Sequence, residues 1–415
     1  MIKSFFKKLL PEPIVLGYHY LEAWLGALYF GFPGKKMTVI GVTGTKGKTT
    51  TSNFIWAVLT AGGHKTGIIS TANIRISNES SLNYYHMTMA GRFAIQRLMA
   101  QMVKAGCTHC VVETTSEGLK QYRHIGVYYD IGVFTNLTPE HLPSHGGSFE
   151  KYKQAKGRMF QHLDTIIANG DDPHAEYFLS FPARRKIIFH RSDFDASRFH
   201  LGILGDFNIT NALPAIIIGR ELGVSDADIA RGLENLKIIP GRMELINEGQ
   251  PYTVIVDYAH EKMSITNVLE TAKKIRKPGA RTIILLGAEG GGRDKRKRPI
   301  MGELAAKLGD FLICSNVDPY DDDPTPIVED IAVAAEQHGM VRNQNLFVIE
   351  DRRAGIRKAL ELAKSGDVVL ITGKGSEQSM IIDGKSIPWD DRVVVREELH
   401  RLHPANSYQA SARPV

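Results

Sequence analysis

Gly41-Val-Thr-Gly-Thr-Lys-Gly-Lys-Thr-Thr50 lies between a short apolar run, Met37–Ile40, and an apolar-periodic segment, Asn53–Leu59. The run reads as a strand and the segment as a helix, so the stretch is a Gly-rich turn opening a helix. Such a turn leaves backbone N–H groups pointing into one concavity, and the helix dipole adds positive potential there. Together they suit a polyphosphate. Lys48 reaches toward the outer phosphates and Thr49 offers a hydroxyl to Mg²⁺. The spacing departs from the usual phosphate-loop pattern, because five residues separate Gly41 from Gly47 and Val42 stands at the usual first glycine.

Around this turn the chain alternates. From Met37 to about Ile239, strands are expected at Met37–Gly41, Cys110–Glu113, Ile131–Thr135 and Thr165–Asn169. Helices are expected at Asn53–Ala61, Ala90–Ala105, Ser148–Gln161 and Asn208–Leu222. A boundary falls near Ile239-Pro-Gly-Arg242. Beyond it, strands are expected at Thr253–Asp257, Thr282–Leu286, Phe311–Cys314, Leu346–Ile349 and Val368–Thr372. The helices between them span Lys262–Lys274, Met301–Leu308, Pro326–Glu336 and Arg353–Ala363. The order implies an α/β protein: a central parallel-sheet ATPase domain of P-loop type over 37–239, then a Rossmann-like, doubly wound domain over 240–403. Residues 404–415 read as a frayed tail.

The 415-residue length fits two or three domains, and 43% hydrophobic with 23% charged residues describes a globular chain. The net charge of +6 suits anionic small molecules. Without a basic stripe carrying interleaved aromatics, there is no case for nucleic acid. Cys107, Cys110 and Cys314 cannot form a disulfide framework, which points to a reducing, cytoplasmic setting. Cys107-Thr-His-Cys110 lacks a second cysteine pair to complete a zinc site and reads as buried strand thiols.

Residues 1–36 form a short apolar, aromatic segment. Lys3, Lys7 and Lys8 flank Phe5, Phe6, Leu9 and Leu10, and Ile14–Phe32 is nearly all apolar. Tyr18, His19, Tyr20 and Glu22 weigh against a membrane span. A helix packed on the first domain is the leading expectation, and peripheral membrane contact through residues 1–33 is the second.

Several strand ends carry polar residues where an α/β sheet keeps its ligands. Glu113 closes a buried strand, and a carboxylate there needs a partner such as nucleotide-bound Mg²⁺. Asn136, His141 and His145 follow another strand closely.

The turn Gly44-Thr-Lys-Gly-Lys-Thr49, with Glu113-Thr-Thr-Ser-Glu-Gly-Leu119 and Thr135-Asn-Leu-Thr-Pro-Glu-His-Leu142, resembles the Mur ligases. So do Ala155-Lys156, Asn169-Gly-Asp-Asp172, Phe207-Asn-Ile-Thr-Asn-Ala212, Pro240-Gly-Arg-Met-Glu244 and Asp257-Tyr-Ala-His260. Later stretches continue the likeness, which is nearest to the MurE type: Gly292-Arg-Asp-Lys-Arg-Lys-Arg-Pro299, Asp351-Arg-Arg353 and Gly373-Lys-Gly-Ser-Glu377.

The resemblance implies an ATP-dependent ligase of peptidoglycan synthesis that adds a third amino acid to a muramoyl-peptide through an acyl phosphate. It implies that Gly44, Thr45, Lys46, Gly47, Lys48, Thr49 and Thr50 bind the β- and γ-phosphates. Thr49 and Glu113 would hold one Mg²⁺ and His141 a second, with Asn136 near the γ-phosphate. Lys156 matches a position carbamylated in many members, where it supports Mg²⁺. Asn208 and Asn211 match positions near the adenine, Arg242 a cross-domain arginine and Asp257 a ribose-binding acid. Arg298, Asp318, Tyr320, Gly373 and Glu377 match the amino-acid site, and closure of the domains would exclude water from the acyl phosphate.

Two departures bear on substrate. MurE-type enzymes carry an N-terminal domain that grips UDP, whereas 36 residues precede Met37 here; a lipid-linked or free muropeptide is then expected as acceptor. Diaminopimelate-type members carry Asp-Asn-Pro-Arg, whose arginine grips a distal carboxylate. This chain has Val317-Asp-Pro-Tyr-Asp-Asp-Asp-Pro324, with Tyr320 in the arginine's place. The acids there favour an ammonium, hence lysine or another diamino acid. Ser376 and Glu117 also stand where histidines are usual. Other readings are a folylpolyglutamate, cyanophycin or lipid II-modifying ligase, and a non-catalytic ATP-binding subunit.

Overall fold

The computed structural model describes residues 11–403 except positions 78, 86 and 141. Two compact units divide the chain. One runs to Ile203 and resumes over Phe207–Lys237; the other takes Leu204–Asp206 and the described residues from Ile238 on.

The first unit opens with α1 (Glu12–Tyr29), β1 (Thr38–Thr43) and α2 (Lys48–Ala61). Then come β2 (Thr66–Ile69), β3 (Asn73–Ile76), β4 (Glu79–Leu82), α3 (Arg92–Lys104) and β5 (His109–Glu113). They are followed by α4 (Ser116–Lys120), β6 (Ile131–Phe134), α5 (Phe149–Gly157), β7 (Thr165–Asn169) and α6 (Ala175–Leu179). Last come β8 (Arg185–Phe189), α7 (Asn208–Glu221) and α8 (Asp226–Asn235). One sheet holds the eight strands in the order β4-β3-β2-β5-β1-β6-β7-β8. From β2 to β8 the pairing is parallel, and β3 and β4 add an antiparallel edge.

Val39, Ile40 and Val42 of β1 are fully buried, as are Cys110, Val111 and Val112 of β5. A strand covered on both faces reads as a continuous apolar run, which explains why these strands were legible. All three cysteines are buried and free; Cys110 lies in β5 as expected, whereas Cys107 precedes that strand. Because β1 pairs with both β5 and β6, the loops after Thr43, Glu113 and Phe134 emerge side by side. That neighbourhood of carboxyl ends builds the site.

The N-terminal segment is a helix seated on this unit. His19, Ala23, Gly26 and Ala27 are buried, and Glu22 pairs with Arg92 of α3 at 3.0 Å. No helix among the described residues is long and apolar enough to cross a membrane.

The second unit contains β9 (Glu244–Ile246), β10 (Thr253–Asp257), α9 (Lys262–Ile275), β11 (Thr282–Leu286) and α10 (Lys297–Leu308). It continues with β12 (Phe311–Cys314), α11 (Pro324–Gln337), β13 (Leu346–Val348), α12 (Arg352–Leu362) and β14 (Val368–Thr372). A hairpin of β15 (Ser379–Ile382) and β16 (Lys385–Pro388) leads into α13 (Asp391–Leu402). The six-stranded sheet runs β13-β12-β11-β14-β10-β9, parallel except for β9 at its edge. This is the doubly wound arrangement expected from the alternation.

Arg352 is fully buried and binds Asp391 through two nitrogens at 2.6 and 2.8 Å. It also donates to the carbonyls of Asn316 and Thr372 at 2.9 and 2.8 Å, tying α12 to α13 and to the loops after β12 and β14. The Asp351 carboxylate caps α12 by accepting the Ala354 N–H at 2.7 Å. Asp351 and Arg352, two of the three residues of the Asp351-Arg-Arg353 stretch, thus have structural work. Asp351→Ala is expected to lower the stability of this unit by about 1 kcal/mol, read from the urea midpoint.

Candidate active site

The turn after β1 is fixed by glycine. Gly44 has φ +152° and Gly47 φ +81°; a Cβ on Gly44 would lie 2.0 Å from Thr135 Oγ1, and one on Gly47 2.2 Å from Asn211 Oδ1. Any larger side chain would therefore displace the loop. Asn136 locks the turn from the neighbouring strand end. Its carbonyl accepts the Thr45 N–H at 2.8 Å, its Oδ1 accepts the Lys46 N–H at 2.8 Å, and its Nδ2 donates to the Lys46 carbonyl at 3.0 Å. The asparagine assigned to the γ-phosphate region thus also shapes the loop.

Lys48 and Lys156 converge on this turn. Lys48 Nζ donates to the carbonyls of Gly44 and Thr45 at 3.1 and 2.8 Å. Lys156, on α5, is 2% exposed and donates to the Gly44 carbonyl at 2.7 Å, with its ammonium 4.7 Å from the Tyr152 ring centre. Burial, and then nearby Lys48, push the Lys156 amine well below the ordinary lysine value; Glu140 and Glu113 pull the other way. Such a place disfavours the charged ammonium. Lys46 pairs with Glu140 at 2.9 Å.

Glu113 is 1% exposed. Its two carboxylate oxygens accept the Thr49 hydroxyl at 3.1 and 3.0 Å, and one accepts the Thr71 N–H at 2.7 Å. A buried carboxylate facing a threonine hydroxyl at a helix start is a hard-oxygen donor set that fits Mg²⁺. No group of three or more metal-ligating side chains exists among the described residues. Thr50 is buried in the first turn of α2. Asn208 and Asn211 pair at 3.0 Å at the start of α7, with Asn211 against Gly47. His141 lies outside the described residues. His145 is buried, shares a 3.1 Å hydrogen bond with Ser116 and packs beside Tyr152; burial lowers its pKa.

The second unit has a cluster of its own at the carboxyl ends of β10, β11, β12 and β14. Lys374 Nζ, 1% exposed, pairs with Asp318 at 2.8 Å and Glu377 at 2.7 Å. Burial works against its charge, but the two carboxylates win and raise its pKa. Burial raises the Glu377 carboxyl despite Lys374. Glu377, with burial second, raises the Tyr258 phenol well above its usual value. Lys297 bridges Glu289 at 2.5 Å and Glu261 at 3.4 Å. Gly373, at φ +107°, lets the strand turn into this cluster beside Val317.

The other residues read from sequence fall differently. Asp257 spends both oxygens on main-chain N–H groups, of Met243 and Ala259, at 2.7 Å each. Arg242 lies 4.4 Å from the Tyr258 ring centre. Arg298 is 3% exposed and engaged with Asp330 at 2.9 Å and the Glu289 carbonyl at 3.2 Å, so it supports the loop from inside. Tyr320 has φ +58°, and its N–H donates to the Ile381 carbonyl at 3.0 Å. Of the acids beside it, Asp318 also accepts the Ile381 N–H, Asp322 the Gly291 N–H, and Asp323 caps α11. Only Asp318 therefore joins the charged cluster. Sequence reasoning missed Tyr152 and Glu289; Thr135, Glu140, Tyr258, Lys297 and Lys374 stood inside quoted motifs but were given no role of their own.

Residues 42–197 match the family model of the Mur ligase middle domain, and residues 241–375 that of the Mur ligase glutamate ligase domain. A UDP-N-acetylmuramyl-tripeptide synthetase of Roseiflexus sp. (strain RS-1) is 34% identical, across 91% of this chain and 81% of that protein. A UDP-N-acetylmuramoyl-L-alanyl-D-glutamate--2,6-diaminopimelate ligase of Syntrophomonas wolfei is 35% identical over the same shares. A solved structure of a ligase bearing that second name superposes with a TM-score of 0.59 at 28% identity, covering 88% of this chain and 79% of its own. A Mycobacterium tuberculosis folylpolyglutamate synthase complexed with ADP shares the fold, with a TM-score of 0.66 at 16% identity over 85% and 91% of the two chains.

Proposed function

The chain belongs to the Mur ligase family of ATP-dependent, amide-forming ligases, and from that premise we propose that it adds a diamino acid to a muramoyl-peptide through an acyl phosphate. The observation that supports this most is the buried Glu113 facing Thr49 at the mouth of the glycine-fixed loop. Carboxylate and amine do not condense unaided in water, so phosphate must first become the leaving group. In the proposed reaction a carboxylate oxygen of the peptide attacks the γ-phosphorus and ADP departs. The amine nitrogen then attacks the acyl carbon, phosphate leaves, and the nitrogen gives up its proton.

Lys48 and the loop N–H groups hold the phosphates, and Asn136 keeps the loop in shape. Thr49 and Glu113 would hold Mg²⁺, which when bound would supply positive charge for the phosphoryl oxygens. The Lys156 amine, on taking up CO₂ and losing a proton, would offer a carboxylate to support Mg²⁺. Asn208 and Asn211 would contact the adenine.

In the second unit, the carboxylates of Glu261, Glu289, Asp318 and Glu377 outnumber Lys297 and Lys374. An excess of partly buried negative charge suits an incoming ammonium. With Tyr320 where a guanidinium would grip a distal carboxylate, lysine or ornithine fits better than diaminopimelate. The test is phosphate release from ATP with muramoyl dipeptide, UDP-linked or free, and each of the three amino acids. Release is expected only when both substrates are present, and at least tenfold faster with lysine or ornithine than with diaminopimelate. Release with diaminopimelate equal to that with lysine would remove the assignment of Tyr320. ATP binding without substrate-dependent release would leave only a binding subunit.

A further inference from the structure

Helix α1 is built the wrong way round for a helix serving only its own domain. The face toward the first unit carries His19 and the small residues Ala23, Gly26 and Ala27. The face turned away carries Ile14, Tyr18, Leu21, Leu25 and Leu28, at steps of four, three, four and three, each 44–58% exposed. Trp24 flanks this stripe at 42% exposure, and Tyr29 ends it at 77%. Large side chains in water and small ones inside is the reverse of an ordinary surface helix. Monomeric proteins rarely leave so continuous an apolar face in water.

Charge decides what covers it. Within α1 the only charged residues are Glu12 and Glu22, and these pair with Lys120 at 2.9 Å and Arg92 at 3.0 Å. Lys35 and Lys36 are exposed just past the helix, and the sequence ahead of Pro11 contains Lys3, Lys7 and Lys8 and no acid. A second copy laid parallel along the stripe would set Lys35 and Lys36 against their own counterparts. Anionic headgroups would instead meet these lysines beside an apolar stripe. The helix, roughly 27 Å long, has the length to lie in the headgroup plane.

We propose that the outward face of α1 is a docking surface for an anionic lipid bilayer, with Leu21 and Leu25 entering the headgroup boundary and Trp24 beside them. The proposal does not depend on which carboxylate or amine the site joins.

The test uses the full chain with vesicles of phosphatidylcholine alone, or with about one-third phosphatidylglycerol. Co-sedimentation with the anionic vesicles is expected, weakening in high salt, with a blue shift of tryptophan emission. The double variant Leu21→Glu, Leu25→Glu should lose at least about tenfold in partition. Both side chains are exposed, so its unfolding midpoint and its phosphate release in solution should stay unchanged, which separates this test from that of the ligase reading. Equal partition of variant and parent would overturn the proposal, as would no binding to anionic vesicles. A parent that sediments as a dimer, ignores vesicles and becomes monomeric on L21E/L25E would assign the face to a second copy instead.

Discussion

Lys48→Met is expected to lower ATP-dependent amide formation by about three orders of magnitude, roughly 4 kcal/mol of transition-state stabilisation. The ammonium of Lys48 folds back on the carbonyls of Gly44 and Thr45, at the start of α2. A lysine at the start of such a helix can lift from the loop and place its charge on the oxygens between the β- and γ-phosphorus, where charge grows as the bond breaks. Methionine keeps the length and apolar stem, so the fold should survive with an unchanged urea midpoint. The measurement is phosphate release at saturating substrates, beside nucleotide affinity by calorimetry. A variant within about tenfold of the parent would show that Lys48 is a loop-closing residue and no more.

Lys156→Met carries the second large expectation, and it moves activity and stability in opposite directions. Activity should fall by at least about a hundredfold, because the group proposed to support Mg²⁺ is gone. Stability should rise at neutral pH. The Lys156 amine is held well below its ordinary value of 10.5 by burial and by Lys48. Between the folded pKa and 10.5 the unfolded chain binds the proton and the folded one does not, so parental stability climbs with pH through that window. The variant lacks this climb. Its advantage over the parent should therefore be largest on the acid side and shrink as pH approaches 10.5, in buffers freed of CO₂. Added bicarbonate should raise the activity of the parent and leave the variant unchanged. A variant less stable than the parent at pH 7 would sink the account of Lys156 as a strained amine.

Most of this architecture could be read from the chain, and the reasons differ by element. In the second unit β10, β11, β12 and β14 coincide with their expected spans, because strands covered on both faces are unbroken apolar runs. β3 and β4 escaped notice because Ile74, Ile76 and Leu82 are their only apolar residues, too short an alternation to stand out among Asn73, Arg75, Glu79, Ser80 and Ser81. α2 starts five residues earlier than periodicity suggested, since Lys48–Ser52 is polar and rich in threonine. The β15–β16 hairpin left a signal that was overlooked. Asp383 and Gly384 have φ of 49° and 65°, the conformation an Asp-Gly turn between short strands calls for. α1 was placed correctly on the first unit, yet sequence could not tell which of its apolar residues face outward.

The site was legible wherever a motif and a strand end coincide, as at Lys48, Glu113 and Asn136. It was not legible where a residue acts through tertiary approach: Tyr152 reaches the loop from α5, and Tyr258 gains its altered phenol only beside Glu377. The acids after Val317 mislead for a related reason. Their count suggests a charged pocket, whereas Asp322 and Asp323 are consumed by backbone N–H groups.

One oxygen in this protein serves two masters. The Gly44 carbonyl is clasped at once by Lys48 and Lys156, at 3.1 and 2.7 Å. Were Lys48 to turn toward an arriving phosphate, that same oxygen would still be held by Lys156 at 2.7 Å, so the turn could lend one ammonium to a ligand and keep its shape through the other.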